Sequence, residues 1–111
     1  MGATTFFGAP AAPLAIRINA AAAGDNTLVA AAVGQSTRVY GLRVSAAAAV
    51  VVQIKRGATV LETLNLPAGT PRVLELRELP YYVTGVNEAL VMNLSSAVQV
   101  DGVLESATVR V

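Results

Sequence analysis

Seven carboxylates, Asp25, Glu62, Glu75, Glu78, Glu88, Asp101 and Glu105, are the side chains best suited to acid–base chemistry, because the chain contains no histidine and no cysteine. Without histidine there is no Ser-His nucleophile and no general base poised near neutral pH. A zinc site would want cysteine or histidine as well. Two carboxylates can still act as acid and base when they flank a substrate. Glu75 and Glu78 are the closest pair in sequence. Three apart at a strand end they diverge, and they alternate with Arg72 and Arg77, so salt bridging is their expected role. No glycine-rich phosphate loop and no EF-hand pattern occurs. Asn93-Leu94-Ser95 fits the glycosylation triplet but falls inside an expected strand. These residues identify no catalytic group, metal ligand or cofactor site, and the chain is not read as an enzyme.

The aromatic residues are the next candidates. Tyr81-Tyr82 follows Pro80, and adjacent residues on a strand point to opposite faces. One ring is therefore expected in the core and the other at a rim or subunit contact, where aromatic residues are enriched. An outward ring also suits sugar stacking. Phe6-Phe7 lies in a Pro/Gly-rich stretch, and apolar anchors on such a segment imply a receiver, either the chain's own domain or a neighbour. Phe6, Phe7, Tyr81 and Tyr82 are the candidate protein-interface residues.

The composition points the same way. The chain is 54% hydrophobic and 14% charged, where a typical protein is about 25% charged. A small domain cannot bury that much apolar surface, so part of it is expected to face other protein chains. The net charge is +1 and the basic residues are scattered. Nucleic-acid binding needs them clustered, so no nucleic-acid partner is expected. Ala46–Val52, the longest strictly apolar run, falls far short of the ~20 residues that span a bilayer. No secretory leader is recognisable before Arg17, and no membrane partner is expected.

These side chains must be positioned by strands. A length of 111 residues fits one domain. Residues 1–24 read as an N-terminal arm with a possible first strand, where Leu14, Ile16 and Ile18 alternate with Ala15, Arg17 and Asn19. Residues 25–111 read as a β-sandwich domain. Asp25-Asn26 marks a turn and Thr27 to Val33 a strand. Beyond Gly34-Gln35, Arg38, Tyr40, Leu42 and Val44 share one strand face. A loop or strand edge through Ala46 to Ala49 leads to a buried strand from Val50. Lys55-Arg56-Gly57-Ala58 turns the chain into Thr59 to Leu66, and Pro67 to Pro71 is a turn cluster. Arg72 to Arg77 alternates again. Leu79 to Val83 is an extended edge segment, since proline cannot donate to a ladder. Ala89 to Leu94 is a strand with Leu90, Met92 and Leu94 on one face. Val98 to Val111 closes the domain, either as a hairpin through Asp101-Gly102 or, preferably, as one long strand with a bulge at Gly102. About eight strands with turn signals every 8–12 residues or so are the pattern of an antiparallel sandwich.

The stretch from Thr27 to Val111 carries a family resemblance. It opens with Thr-Leu-Val-Ala-Ala-Ala-Val-Gly at residues 27–34. Thr-Arg-Val-Tyr-Gly-Leu-Arg-Val-Ser-Ala follows at 37–46, Val-Gln-Ile-Lys-Arg-Gly-Ala-Thr at 52–59 and Leu-Pro-Ala-Gly-Thr at 66–70. Asn-Glu-Ala-Leu-Val-Met-Asn-Leu-Ser-Ser-Ala-Val-Gln-Val-Asp-Gly occupies 87–102. This series resembles small β-sandwich proteins of phage virions, several of which decorate or cement capsids. The resemblance implies an all-β, jelly-roll-like antiparallel β-sandwich with an extended N-terminal arm. It also implies a capsid decoration protein, made in the host bacterial cytoplasm and carried on the virion, that binds between major capsid protein subunits and associates with itself, a trimer suiting threefold joints. The alternative it implies is a tail, head-fibre or baseplate component that binds a host-surface carbohydrate. It implies no catalytic or ligand residues.

Overall fold

The computed structural model describes residues 14–110, so Met1–Pro13, with Phe6 and Phe7, lie outside the described residues. Nine strands account for the architecture: β1 (Leu14–Ala20), β2 (Gly24–Val29), β3 (Gln35–Ala46), β4 (Val50–Arg56), β5 (Thr59–Leu66), β6 (Arg72–Leu74), β7 (Tyr82–Val83), β8 (Leu90–Leu94) and β9 (Val100–Arg110). They form two sheets. One has the order β1-β9-β3-β6, with β7 also paired to β3; the other has the order β2-β8-β4-β5. All the strand pairings are antiparallel. The chain is an all-β protein with two packed antiparallel sheets, a β-sandwich, and no helix occurs among the described residues.

Alternation explains the layers. Ile18, Val39, Leu42, Val44, Val100 and Leu104 point inward from the first sheet. Val50, Val52, Ile54, Leu64, Leu66, Leu90, Met92 and Leu94 meet them from the second, all of them buried. The β-branched residues of β4 favour a pleated surface, which is why Val50 begins a strand directly after the exposed alanines 47–49. Gly57-Ala58 closes the β4–β5 hairpin.

The structure departs from the expected pattern in four places. Asp25 and Asn26, expected in a turn, lie within β2. The preceding bend falls at residues 21–23, where Asn26 Nδ2 reaches back to the Ala22 carbonyl at 2.9 Å. β2 then ends at Val29, short of the expected Val33. In β3 a shift between Val39 and Gly41 leaves Tyr40 as an extra residue, so Val39 joins Leu42 and Val44 in the core. Two residues on one strand then oppose one on its partner, which a pattern of period two cannot register. The strand expected from Arg72 to Arg77 pairs only through Leu74.

β9 is one long strand, but it carries no bulge at Gly102: the register runs evenly from Val103 through Gly102 to Asp101 against both β1 and β3. The glycine is there for space. A Cβ at this position would come within 1.8 Å of the Arg43 carbonyl oxygen.

Candidate protein interface

Sequence chemistry explains why the chain between β6 and β8 becomes a strap rather than a strand. Pro80 has no N–H to give, and Asn87 adopts a positive φ of 65°, a conformation that asparagine tolerates. The strap lies along the free edge of β3 and satisfies it group by group. Arg77 N donates to Tyr40 O at 3.2 Å, Tyr81 N to Val39 O at 2.7 Å, Thr84 N to Thr37 O at 2.9 Å and Asn87 N to Gln35 O at 3.0 Å. Thr84 is buried and clasps β3 twice more. Its Oγ1 accepts from Thr37 N at 2.8 Å, and its carbonyl accepts from Ser36 Oγ at 2.6 Å. Glu88 accepts from Gly85 N at 2.6 Å and lies 3.6 Å from Arg56 Nη1.

Covering a sheet edge removes an aggregation template. Here the cover is itself apolar. Leu79 is 73% exposed, Leu76 57% and Val73 49%, while Val83 and Val86 are each 43% exposed. A clip holds this surface in shape. The Arg77 guanidinium carbon lies 3.7 Å from the Tyr81 ring centroid. Arg77 Nε donates to Leu79 O at 2.9 Å, and the Tyr81 hydroxyl donates to Glu75 O at 2.7 Å. The apolar side chains are therefore presented on a fixed loop, which lowers the ordering cost of any contact they make.

Beside the strap, on the outer face of the first sheet, lies a trough of about 300 Å³ lined by Leu42, Arg43, Val73, Leu74, Glu75, Leu76, Val103 and Glu105. Gly41 permits the strap's close approach. Leu76 Cα lies 3.4 Å, and Glu105 Oε1 2.7 Å, from where a Cβ on Gly41 would stand. Arg17, Val103, Arg43 and Val73 stand in one cross-strand row over β1, β9, β3 and β6.

The two tyrosines part company, as adjacent strand residues must. Tyr82 is 7% exposed and belongs to the core of its own chain. Its hydroxyl donates to Glu62 Oε1, tying β7 at the edge of one sheet to β5 at the edge of the other. Burial first, and then the Glu62 carboxylate, push the Tyr82 phenol pKa well above its ordinary value of 10.0. Tyr81 is half-buried at the rim with Arg77 against one ring face. The exposed leucines and valines of the strap were not singled out by sequence, because Arg72 to Arg77 alternates like a half-buried strand. The signal that could have found them is the charge density: Arg72, Glu75, Arg77 and Glu78 flank Leu74, Leu76 and Leu79, which marks a solvated segment.

Leu14, Val33, Val51 and Val60 are exposed as well, outside the strap. The second sheet carries exposed Val51 and Val60 among polar side chains. Asp25 accepts from Asn93 Nδ2 at 2.7 Å and pairs with Lys55 Nζ at 3.1 Å. The Asn93 amide, followed by the Lys55 ammonium, holds the Asp25 carboxyl below its ordinary value. One end of the sandwich is built from the loops 21–23, 47–49, 67–71 and 95–99, and none of these loops contains a charged residue. Among the described residues no three of Asp, Glu, His and Cys gather as a metal site would require.

No protein-family model matches this chain, and no curated protein or solved structure matches it either.

Proposed function

We propose that this protein is a structural component of a bacteriophage virion, a capsid decoration protein that docks across joints between major capsid subunits and does no catalysis. The observation that carries the reading is the strap. Leu76 and Leu79 are displayed on a loop fastened to β3 by backbone hydrogen bonds and by the Arg77–Tyr81 clip, with Val73 of β6 and Val83 of β7 beside them. Exposed apolar clusters with polar rims mark protein contact sites. The uncharged loops at one end offer a second surface for close packing, as the cores of subunit interfaces are depleted of charge.

Strand order supports the architecture side of the reading. The order β1-β9-β3-β6 over β2-β8-β4-β5, with most connections crossing between the sheets, fits a jelly roll, a form that recurs in viral capsid proteins as well as lectins and cupins. β1 forms the first strand of the sandwich, and the segment before it is the arm of this reading. The contact residues include Tyr81 at the rim of the strap, with Phe6 and Phe7 on the arm, and copies of the chain associate with one another on the particle. The test is to mix purified protein with bare capsids and image them. Regular protrusions at fixed lattice positions are expected. Failure to bind intact heads, with the protein folded, removes this reading.

A further inference from the structure

The trough over Gly41 is built to take an aromatic ring. Its apolar lining of Val73, Leu74, Leu76 and Val103 is joined by the carboxylates Glu75 and Glu105. Arg43 at its margin is exposed and forms no ion pair among the described residues, so its guanidinium is free to lie over a ring face. A cavity of ~150 Å³ is enough for benzene, and this one offers about 300 Å³. Room for one phenyl side chain is ample.

The chain carries such side chains at Phe6 and Phe7, seven or eight residues before Leu14. What decides their destination is where the described chain begins. Leu14 pairs with Ser106, while β9 runs on to Arg110. Pro13, next before Leu14 in the sequence, has no N–H to give to a ladder. Seven residues reach roughly 23–25 Å. The chain's own trough runs from β9, next to β1, to β6, about 5–14 Å away across the sheet, so length alone permits a return. Direction opposes it. Pro10 and Pro13 bias Ala9 and Ala12 toward extended backbone, against the reversal that a return needs. A second copy beside this end of β1 meets the phenylalanines along the line the strand already follows.

We propose that the trough receives Phe6 or Phe7 from a second copy of this chain, an exchange of arms that joins subunits. The proposal rests on the self-association in the reading above and names its contact. Adjacent residues on an extended segment face opposite ways, so one ring enters while the other stays outside.

The chain has no cysteine, which makes a disulfide test unambiguous. Phe7→Cys protein is mixed with Val73→Cys protein under mild oxidation, and the Phe7→Cys/Val73→Cys double variant is oxidised separately. The same pair of samples is made with Phe6→Cys in place of Phe7→Cys. Arm exchange gives a disulfide joining position 6 or position 7 of one chain to position 73 of another. A link within a single chain in the double variants, or no link to position 73 from either position, overturns the proposal. Phe7→Trp supplies the chain's single tryptophan. Its emission is blue-shifted at high concentration and shifts to the red on dilution, and Leu76→Asp abolishes the blue shift. Leu76 is 57% exposed, so circular dichroism of this variant should match that of the parent. An emission that ignores dilution both in Phe7→Trp and in Phe6→Trp also overturns the proposal. Replacing both phenylalanines by alanine weakens self-association roughly ten- to a hundredfold. None of these measurements uses capsids, so a negative result leaves head binding to its own experiment.

Discussion

Gly102 and Tyr82 show how single residues hold the two sheets in order. Any side chain at Gly102 drives into the backbone of β3. Gly102→Ala should therefore cost on the order of 1–3 kcal/mol as β3 or β9 shifts, read as a lower urea midpoint; an unchanged midpoint contradicts the steric account. Tyr82 ties β7 to β5 through Glu62. Tyr82→Phe should cost about 1–2 kcal/mol near neutral pH, because the half-buried Glu62 carboxylate loses its donor. The phenol stays protonated in the fold while tyrosines of the unfolded chain ionise near pH 10. Its contribution is thus complete below about pH 10 and is lost as pH rises beyond that value. Denaturation midpoints measured from about pH 8 to pH 11 should fall less steeply in Tyr82→Phe than in the parent. Asp25 behaves in the opposite sense. Its lowered pKa adds stability above the ordinary carboxylate range and loses it as pH falls through the lowered value. Asp25→Asn should flatten the acid limb of the stability profile slightly, because the pair is exposed and screened.

Among the elements, the strap is the one most loosely tied to the core. Its anchors are backbone bonds to β3, the Thr84 clasp and the buried Tyr82, while between Leu76 and Pro80 its side chains lie on the surface or at its margin. Regions with few buried contacts open locally below the global unfolding free energy. Arg77→Ala removes the clip over Tyr81 at a global cost of about 0.5–1 kcal/mol, the value of an exposed cation–π contact. Amide exchange at Arg77 and Tyr81, whose N–H groups bond to β3, should speed up severalfold in this variant while β4 and β8 amides keep their protection. Uniform acceleration over the whole chain would mean that the strap unfolds only together with the sandwich.

For the whole molecule, the sandwich is a rigid platform that places its apolar display on one flank. If that display docks to capsid, Leu79→Asp should abolish attachment to bare heads while leaving the urea midpoint within about 0.5 kcal/mol of the parent, since surface changes seldom cost more. Co-sedimentation with heads provides the measurement. Retained attachment would move the contact to the uncharged end loops, whose alanines can be enlarged in turn.

Local chemistry determined most of the layered fold. The alternation in Leu14–Ala20, the β-branched run from Val50, the Gly57-Ala58 turn and the one-faced Leu90, Met92 and Leu94 each follow from pleat and turn geometry, which act over a few residues. The absence of histidine and cysteine narrowed the chemistry as directly. Three outcomes depended on contacts distant in sequence. The Tyr40 bulge exists because β3 must match both β9 and the strap. Gly102 is required by the approach of Arg43. Leu76 and Leu79 face outward because Pro80 and the β3 edge pull their segment out of the sheet, although the same residues alternate as a buried strand would. Which apolar residues stay exposed is decided by which partners the rest of the chain brings near, and that is a property of the assembled sheets.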